Sequence, residues 1–154
     1  MPMTLSGTTG IVLPTGASPA FSVSKNANQS ISGSTWTKIS FQTKEFDTNS
    51  NFDNTTNYRF TPTVAGYYQI SGCAWMGGQP QQRVTVWKNG TYYITGAVTA
   101  NGGGYNNSSF VSCLVYLNGS TDYIELYAYE AGGAQTIDSS LQDTYFQGVM
   151  VRSA

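Results

Sequence analysis

Eight Asp and Glu, seven Lys and Arg, two Cys and no His are the residues of this 154-residue chain that could move protons or attack a bond. Without imidazole, the serine and cysteine triads have no base. The carboxylates are scattered, and no motif sets one beside an acid, base or nucleophile partner. A glycosidase needs two carboxylates at a defined separation, which a sequence does not display. No catalytic residue is assigned, and the chain reads as a non-enzyme. Two Cys are too few for a structural zinc site. One run carries metal chemistry: Asp47, Asn49, Asn51 and Asp53 alternate oxygen ligands as a calcium loop does. That pattern next requires Gly and later Glu, where this chain has Phe52 and Tyr58. The competing reading is a turn in which Asn and Asp bond their own backbone. Calcium is the one cofactor the sequence leaves open.

Binding chemistry is better supplied. Trp87, Tyr92, Tyr93, Tyr105, Asn106, Asn107, Tyr127 and Tyr129 combine aromatic faces, which stack on sugar rings, with amides that bond hydroxyls. Strand aromatics also pack on their neighbours, a reading that weighs most for Tyr127 and Tyr129. Tyr105, in a Gly/Asn loop, is the leading single candidate. A net charge of −1 without a basic cluster excludes nucleic acid as partner. No apolar run is long enough to cross a membrane as a helix, and no secretory signal is visible. Six N-x-S/T sequons, at Asn28, Asn54, Asn89, Asn106, Asn107 and Asn118, follow from an Asn- and Thr-rich composition.

Strands must position these residues. Ser, Thr, Asn and Gly make up 64 of the 154 residues, and aromatics 14%. That aromatic content is enough to build a core, so the chain folds rather than staying disordered. Apolar residues alternate with polar ones in short runs, and no helical period persists. The spacing predicts strands at Ala20–Lys25, Thr35–Phe41, Lys44–Asp47, Tyr58–Thr63, Gly66–Met76, Gln82–Lys88, Thr91–Val98, Ser108–Leu117, Asp122–Tyr129 and Thr144–Arg152. Asn89-Gly90 marks a tight hairpin. Ten short strands in one chain mean a sandwich or barrel. Residues 1–18 hold no charge and no aromatic ring. They read as a leader that docks to a larger assembly, ahead of a head domain over 19–154. Ile11-Val12-Leu13 is short and apolar enough to add an edge strand to a partner.

Most strands cover one face, but three have two apolar faces. Val111, Cys113, Val115 and Leu117 oppose Phe110, Leu114 and Tyr116; Tyr68, Ile70, Ala74 and Met76 oppose Tyr67, Gln69, Cys73 and Trp75; Phe146 and Met150 oppose Tyr145, Val149 and Val151. A sandwich buries one face of each sheet, so the second face predicts a cover, and another subunit is the available one. The same pattern puts Cys73 and Cys113 on opposite faces of neighbouring strands, beyond disulfide reach, and predicts two free buried thiols.

Several phrases, read in order, carry a resemblance. They are Phe21-Ser22-Val23, Trp36-Thr37-Lys38-Ile39-Ser40-Phe41, Phe60 through Ile70, Val86-Trp87-Lys88-Asn89-Gly90, Val115 through Ile124 and Tyr145-Phe146-Gln147-Gly148-Val149-Met150. Over residues 19–152 the chain resembles the complement component 1q-like globular head, a ten-strand jelly roll related to tumour necrosis factor. The family's Gly-Asp before its seventh main strand is here split into Gly119 and Asp122, and no collagen-like Gly-x-y repeat occurs. The resemblance implies a homotrimer with Tyr67, Gln69, Trp75, Phe110, Leu114, Tyr116, Tyr145, Val149 and Val151 at its seam. The leader and the neutral polar bias resemble phage fibre and virion surface proteins. The resulting expectation is a trimeric virion surface or tail-fibre-tip protein that attaches to a host-surface glycan or protein receptor. Trp87, Tyr92, Tyr105, Asn106 and Asn107 are its candidate contacts, and residues 1–18 its link to other virion proteins. A structural decoration or adaptor protein is one alternative. A secreted or cell-surface bacterial adhesion module, placed outside the cell, is another.

Overall fold

The computed structural model describes residues 4–6, 10–12, 18–77, 81–99, 107–139 and 143–154. In the leader, β1 (Thr4–Ser6) and β2 (Gly10–Val12) pair antiparallel with Leu5 opposite Ile11. Ile11 and Val12 thus pair within the leader, and Leu13 lies outside the described residues.

The body follows with β3 (Ala20–Ser24), β4 (Gln29–Ile31), β5 (Thr37–Lys38), β6 (Thr43–Asp47), β7 (Phe52–Asp53), β8 (Arg59–Phe60) and β9 (Ala65–Met76). Then come β10 (Gln82–Lys88), β11 (Thr91–Thr95), β12 (Asn107–Asn118), β13 (Ile124–Glu130), β14 (Gln135–Ile137) and β15 (Tyr145–Ser153). All ten expected strands form. The run at Thr35–Phe41 pairs only at Thr37–Lys38, and the run at Tyr58–Thr63 only at Arg59–Phe60. β4, β7 and β14 are additional. Each is two or three residues long, too short for an alternation to be legible.

One sheet runs β4-β14-β9-β15-β3-β6, with β12 on the other edge of β9. The second runs β11-β10-β13-β8-β7, with β5 also on β13. No helix occurs among the described residues. The inward faces meet in one core. Phe21 stacks on Phe60 at 4.3 Å and meets Phe146 edge-on at 5.1 Å, and Tyr68 donates its hydroxyl to the Val64 carbonyl at 2.6 Å. Each such ring, removed from water, stabilises the fold by about 2 kcal/mol. The sheets approach so closely at Gly72 that a Cβ there would lie 2.7 Å from Leu126. The hairpin between β10 and β11 has left-handed backbone at Asn89 (φ 53) and Gly90 (φ 73), as its sequence demands.

Two charged side chains, Lys25 and Glu130, have no solvent exposure. Lys25, just past β3, is fully buried. Its ammonium donates to Gln29 Oε1 (3.1 Å), the Ser40 carbonyl (2.9 Å) and Ser40 Oγ (3.3 Å), all neutral acceptors. Burial lowers its pKa to about 8. The other, Glu130, closes β13, and its Oε1 accepts the Gly132 N–H. Cys73 and Cys113 are free and buried; Cys73 stands opposite Phe110 and Cys113 opposite Ile70, so the two project from opposite faces of the β9–β12 ladder. Burial pushes the Cys113 thiol up to about 11 and raises that of Cys73. Iodoacetamide at pH 8 is therefore expected to leave the folded chain unlabelled and to add two groups under denaturant. A native mass already carrying both labels would contradict the buried placement.

Candidate functional site

The outward face of the β12–β9–β15 sheet can be read in rows from its ladder register. The first row is Tyr116, Tyr67 and the neighbouring Val151 and Arg152; the second is Leu114, Gln69 and Val149. The third is Ser112, Ser71 and Gln147, the fourth Phe110, Cys73 and Tyr145, and Trp75 stands opposite Ser108 in the fifth. Phe110 (56%), Val151 (55%), Leu114 (52%), Val149 (43%), Tyr67 (41%) and Tyr116 (41%) are all exposed. Gln69 is also exposed, whereas Tyr145 and Trp75 are half-buried. All nine residues expected at a seam thus share one sheet face. Tyr67 and Tyr116 are in ring contact at 5.5 Å. A groove of about 550 Å³ is lined by Tyr67, Leu114, Val151 and the chain end Arg152–Ala154.

The middle row was not singled out by sequence, although it obeys the same alternation. Its polar groups bond within the sheet. Gln69 Nε2 donates to Ser112 Oγ (2.9 Å), and Gln147 Nε2 donates to Ser71 Oγ (3.1 Å). A polar stripe satisfied in this way can be covered by another surface at low desolvation cost.

A second exposed apolar group lies along the sandwich edge formed by β11 and the segment after it. Tyr92, Tyr93, Ile94 and Val98 are 49%, 39%, 37% and 46% exposed. Tyr93 donates its hydroxyl to the Leu114 carbonyl (3.3 Å), tying this edge to β12.

The candidate ligand contacts do not all converge. Tyr105 and Asn106 lie outside the described residues. Asn107 opens β12, and its Oδ1 accepts the Ser108 N–H. Trp87 stacks on Tyr127 at 4.1 Å and meets Trp36 at 6.4 Å, while Trp36 also meets Tyr92 (5.9 Å) and Tyr129 (5.0 Å). Arg83 lies over the Tyr129 ring at 5.8 Å. Trp87 therefore packs among its neighbours, and Tyr92 is the open ring of this group. Trp36 is the hub that the ligand reading missed, because it reaches the sheet from a separate segment.

In the Asp47–Asp53 run the carboxylates serve the backbone. Asp47 accepts the Asn51 and Phe52 N–H groups (both 2.9 Å) and pairs with Lys44 (2.9 Å). Asp53 accepts the N–H groups of Thr55 (3.0 Å), Thr56 (3.0 Å) and Asn57 (3.1 Å), which hold its pKa well below the usual carboxylate range. Asn51 donates to the Asn49 carbonyl (3.1 Å). This is the self-capped turn of the competing reading. No group of three His, Cys, Asp or Glu suited to a metal occurs among the described residues.

The chain matches no family model and no curated protein by sequence. Its structure does have counterparts. The globular domain of zebrafish complement 1qA protein superposes with TM-score 0.66 at 18% identity, covering 89% of this chain and 99% of that one. Eiger TNF from S. frugiperda gives 0.67 at 9% identity (89% and 93% covered), and murine APRIL at pH 5.0 gives 0.65 at 12% identity (87% and 99% covered). The sandwich whose outward face carries Tyr67, Leu114 and Val151 is accordingly a jelly roll of the complement 1q and tumour-necrosis-factor type.

Proposed function

We propose that this chain is a non-catalytic binding head that works as a homotrimer on a virion surface or fibre tip, attaching to a host-surface receptor, carbohydrate first among the candidates. The observation that carries the assembly is the second apolar face on β9, β12 and β15. Six large apolar residues there are each about half exposed, and large apolar surface gathered on one face of a soluble protein marks an interaction site. A closed ring needs two different patches, one from each side of every contact. The sheet face supplies one, and Tyr93, Ile94 and Val98 of the neighbouring edge supply the other, whereas a two-fold dimer would need only one. The β11–β12 edge lies beside the Leu114 row, so neighbours can pack edge onto face around an axis. Three copies then present the Trp36–Tyr92 aromatic group threefold, and avidity multiplies a weak single contact.

The attachment reading is tested on host cells and a glycan array with the full chain and with a chain lacking residues 1–18. The described strands of that segment, β1 and β2, pair with each other and not with either sheet of the body. Binding by both chains supports receptor attachment. Loss of particle incorporation alone, with no binding by either chain, supports the decoration or adaptor role.

A further inference from the structure

The fifth row of the outward β12–β9–β15 face, where Trp75 stands opposite Ser108, borders a second cavity. Its volume is about 270 Å³, and Trp75, Asn107, Ser108 and Asp143 line it. Three elements converge there. β9 ends at Met76, β12 opens at Asn107, and Asp143 stands two residues ahead of β15. The Trp75 N–H donates to Thr144 Oγ1 (3.1 Å), which ties β9 to the residue next to Asp143. The groove at the first row is largely apolar, whereas three of the four side chains here are polar.

Each side chain brings a different group. Trp75 is half-buried and offers an aromatic face. Asp143 is also half-buried and takes part in none of the ion pairs among the described residues, so its carboxylate oxygens are acceptors for a ligand. Asn107 Oδ1 already holds the Ser108 N–H (3.0 Å), which leaves the Asn107 amide nitrogen as a donor. The Ser108 hydroxyl reaches the Cys73 thiol and keeps lone pairs of its own. A ring face with an acceptor and a donor beside it matches a sugar ring with adjacent hydroxyls. The volume lies below the roughly 300 Å³ at which pockets begin to take drug-sized ligands, which leaves room for a single ring. The one formal charge in the cavity is negative, so an acidic sugar is repelled.

We propose that this cavity binds one uncharged sugar residue of a surface glycan, with Trp75 stacked on the ring and Asp143 and Asn107 holding adjacent hydroxyls. The proposal rests on the attachment reading and names its contact. Position supports it. The Ala154 N–H donates to the Ala65 carbonyl (3.1 Å) beside the first row, and the body begins at Ala20, opposite Val149 in the second. Trp75 lies six residues along β9 from Gln69 of that second row, about 20 Å at the rise of a strand. Both ends of the body's chain thus lie toward one end of the sheet, and the cavity stands toward the other. A head anchored through its leader turns the cavity outward, and three-fold symmetry sets three of them at one level.

The test is NMR titration of the full chain with the methyl glycosides of glucose, galactose, mannose and N-acetylglucosamine, and with sialic acid as the anionic comparison. At least one neutral glycoside is expected to shift the indole N–H resonance of one of the three tryptophans, and that resonance is expected to be the one missing from W75L. D143N keeps the side-chain shape and is expected to weaken binding of that glycoside by roughly tenfold or more, with the rest of the spectrum unchanged. A response to sialic acid alone overturns the proposal. So does neutral-sugar binding that survives D143N and shifts a different indole; the attachment reading then stands with its contact elsewhere on the head. No response to any sugar also overturns the site, and host-cell binding by the same preparation shows whether the attachment reading falls with it.

Discussion

Leu114→Glu is expected to give a folded monomer of 16.6 kDa, where the proposed trimer predicts that the wild-type chain scatters light as a particle of about 50 kDa. Leu114 is half exposed in the isolated head, in the row it shares with Gln69 and Val149. A carboxylate there stays solvated in the monomer and costs the head little. In a closed ring the same carboxylate meets apolar neighbours at three equivalent contacts, and no basic residue lies in its row. Burying one uncompensated charge per contact weakens assembly by at least about 4 kcal/mol, a factor of roughly 1,000. Light scattering at micromolar concentration reads the mass, and near-ultraviolet circular dichroism reports whether the core remains packed. Ser112→Glu, one row away, provides a second charge on the same face. A wild-type chain that is already a stable monomer at these concentrations would remove the interface argument, and with it the threefold display of Tyr92.

Lys25→Met is expected to stabilise the protein at pH 7 and to lose about 2 kcal/mol of that advantage by pH 9.5. Burial lowers the Lys25 pKa from the ordinary value near 10.5 to about 8. Below pH 8 the folded chain holds a charged ammonium in a buried site, and the unfolded chain holds the same charge in water at no cost. Between pH 8 and 10.5 the folded chain has released the proton while the unfolded chain retains it, so the penalty fades as pH rises. Cys73, Cys113 and Tyr68 act in the opposite sense. Their folded pKa values are raised, so stability is lost as pH climbs past their unfolded values. Those contributions are common to both proteins and cancel in the difference. The measurement is therefore the gap between urea midpoints of wild type and variant at pH 7 and pH 9.5. Methionine fits because Gln29 Oε1 still receives the Ser40 N–H and hydroxyl when the ammonium is gone. A gap that does not change with pH would show that Lys25 is hydrated in solution.

Lys25 and Glu130, the two charged residues without solvent exposure, illustrate what a linear reading misses. Each lies at the end of an alternating run, where a charged residue reads as the start of a solvated loop. Burial of Lys25 depends on Gln29 and on Ser40, fifteen residues away, folding over it. Glu130 faces Gln82 rather than a basic residue because the β10–β13 register brings that residue opposite it. Trp36 shows the same limit. It belongs to no strand, yet it joins Trp87, Tyr92 and Tyr129 into one aromatic group.

By itself the sequence determined that the chain is all-β, that it has no imidazole chemistry and that three strands are apolar on both faces. These follow from residue types and from a period of two, which act within a few positions. Only the tertiary structure decided which faces combine. The groove of Tyr67, Leu114 and Val151 gathers residues from three separate strands, and it forms because β12 and β15 pair on opposite edges of β9 in one register. A slip of one residue in either ladder would turn that strand's apolar set to the other face. Local pattern fixes what each strand can bury, but the face that a partner meets is fixed by non-local pairing.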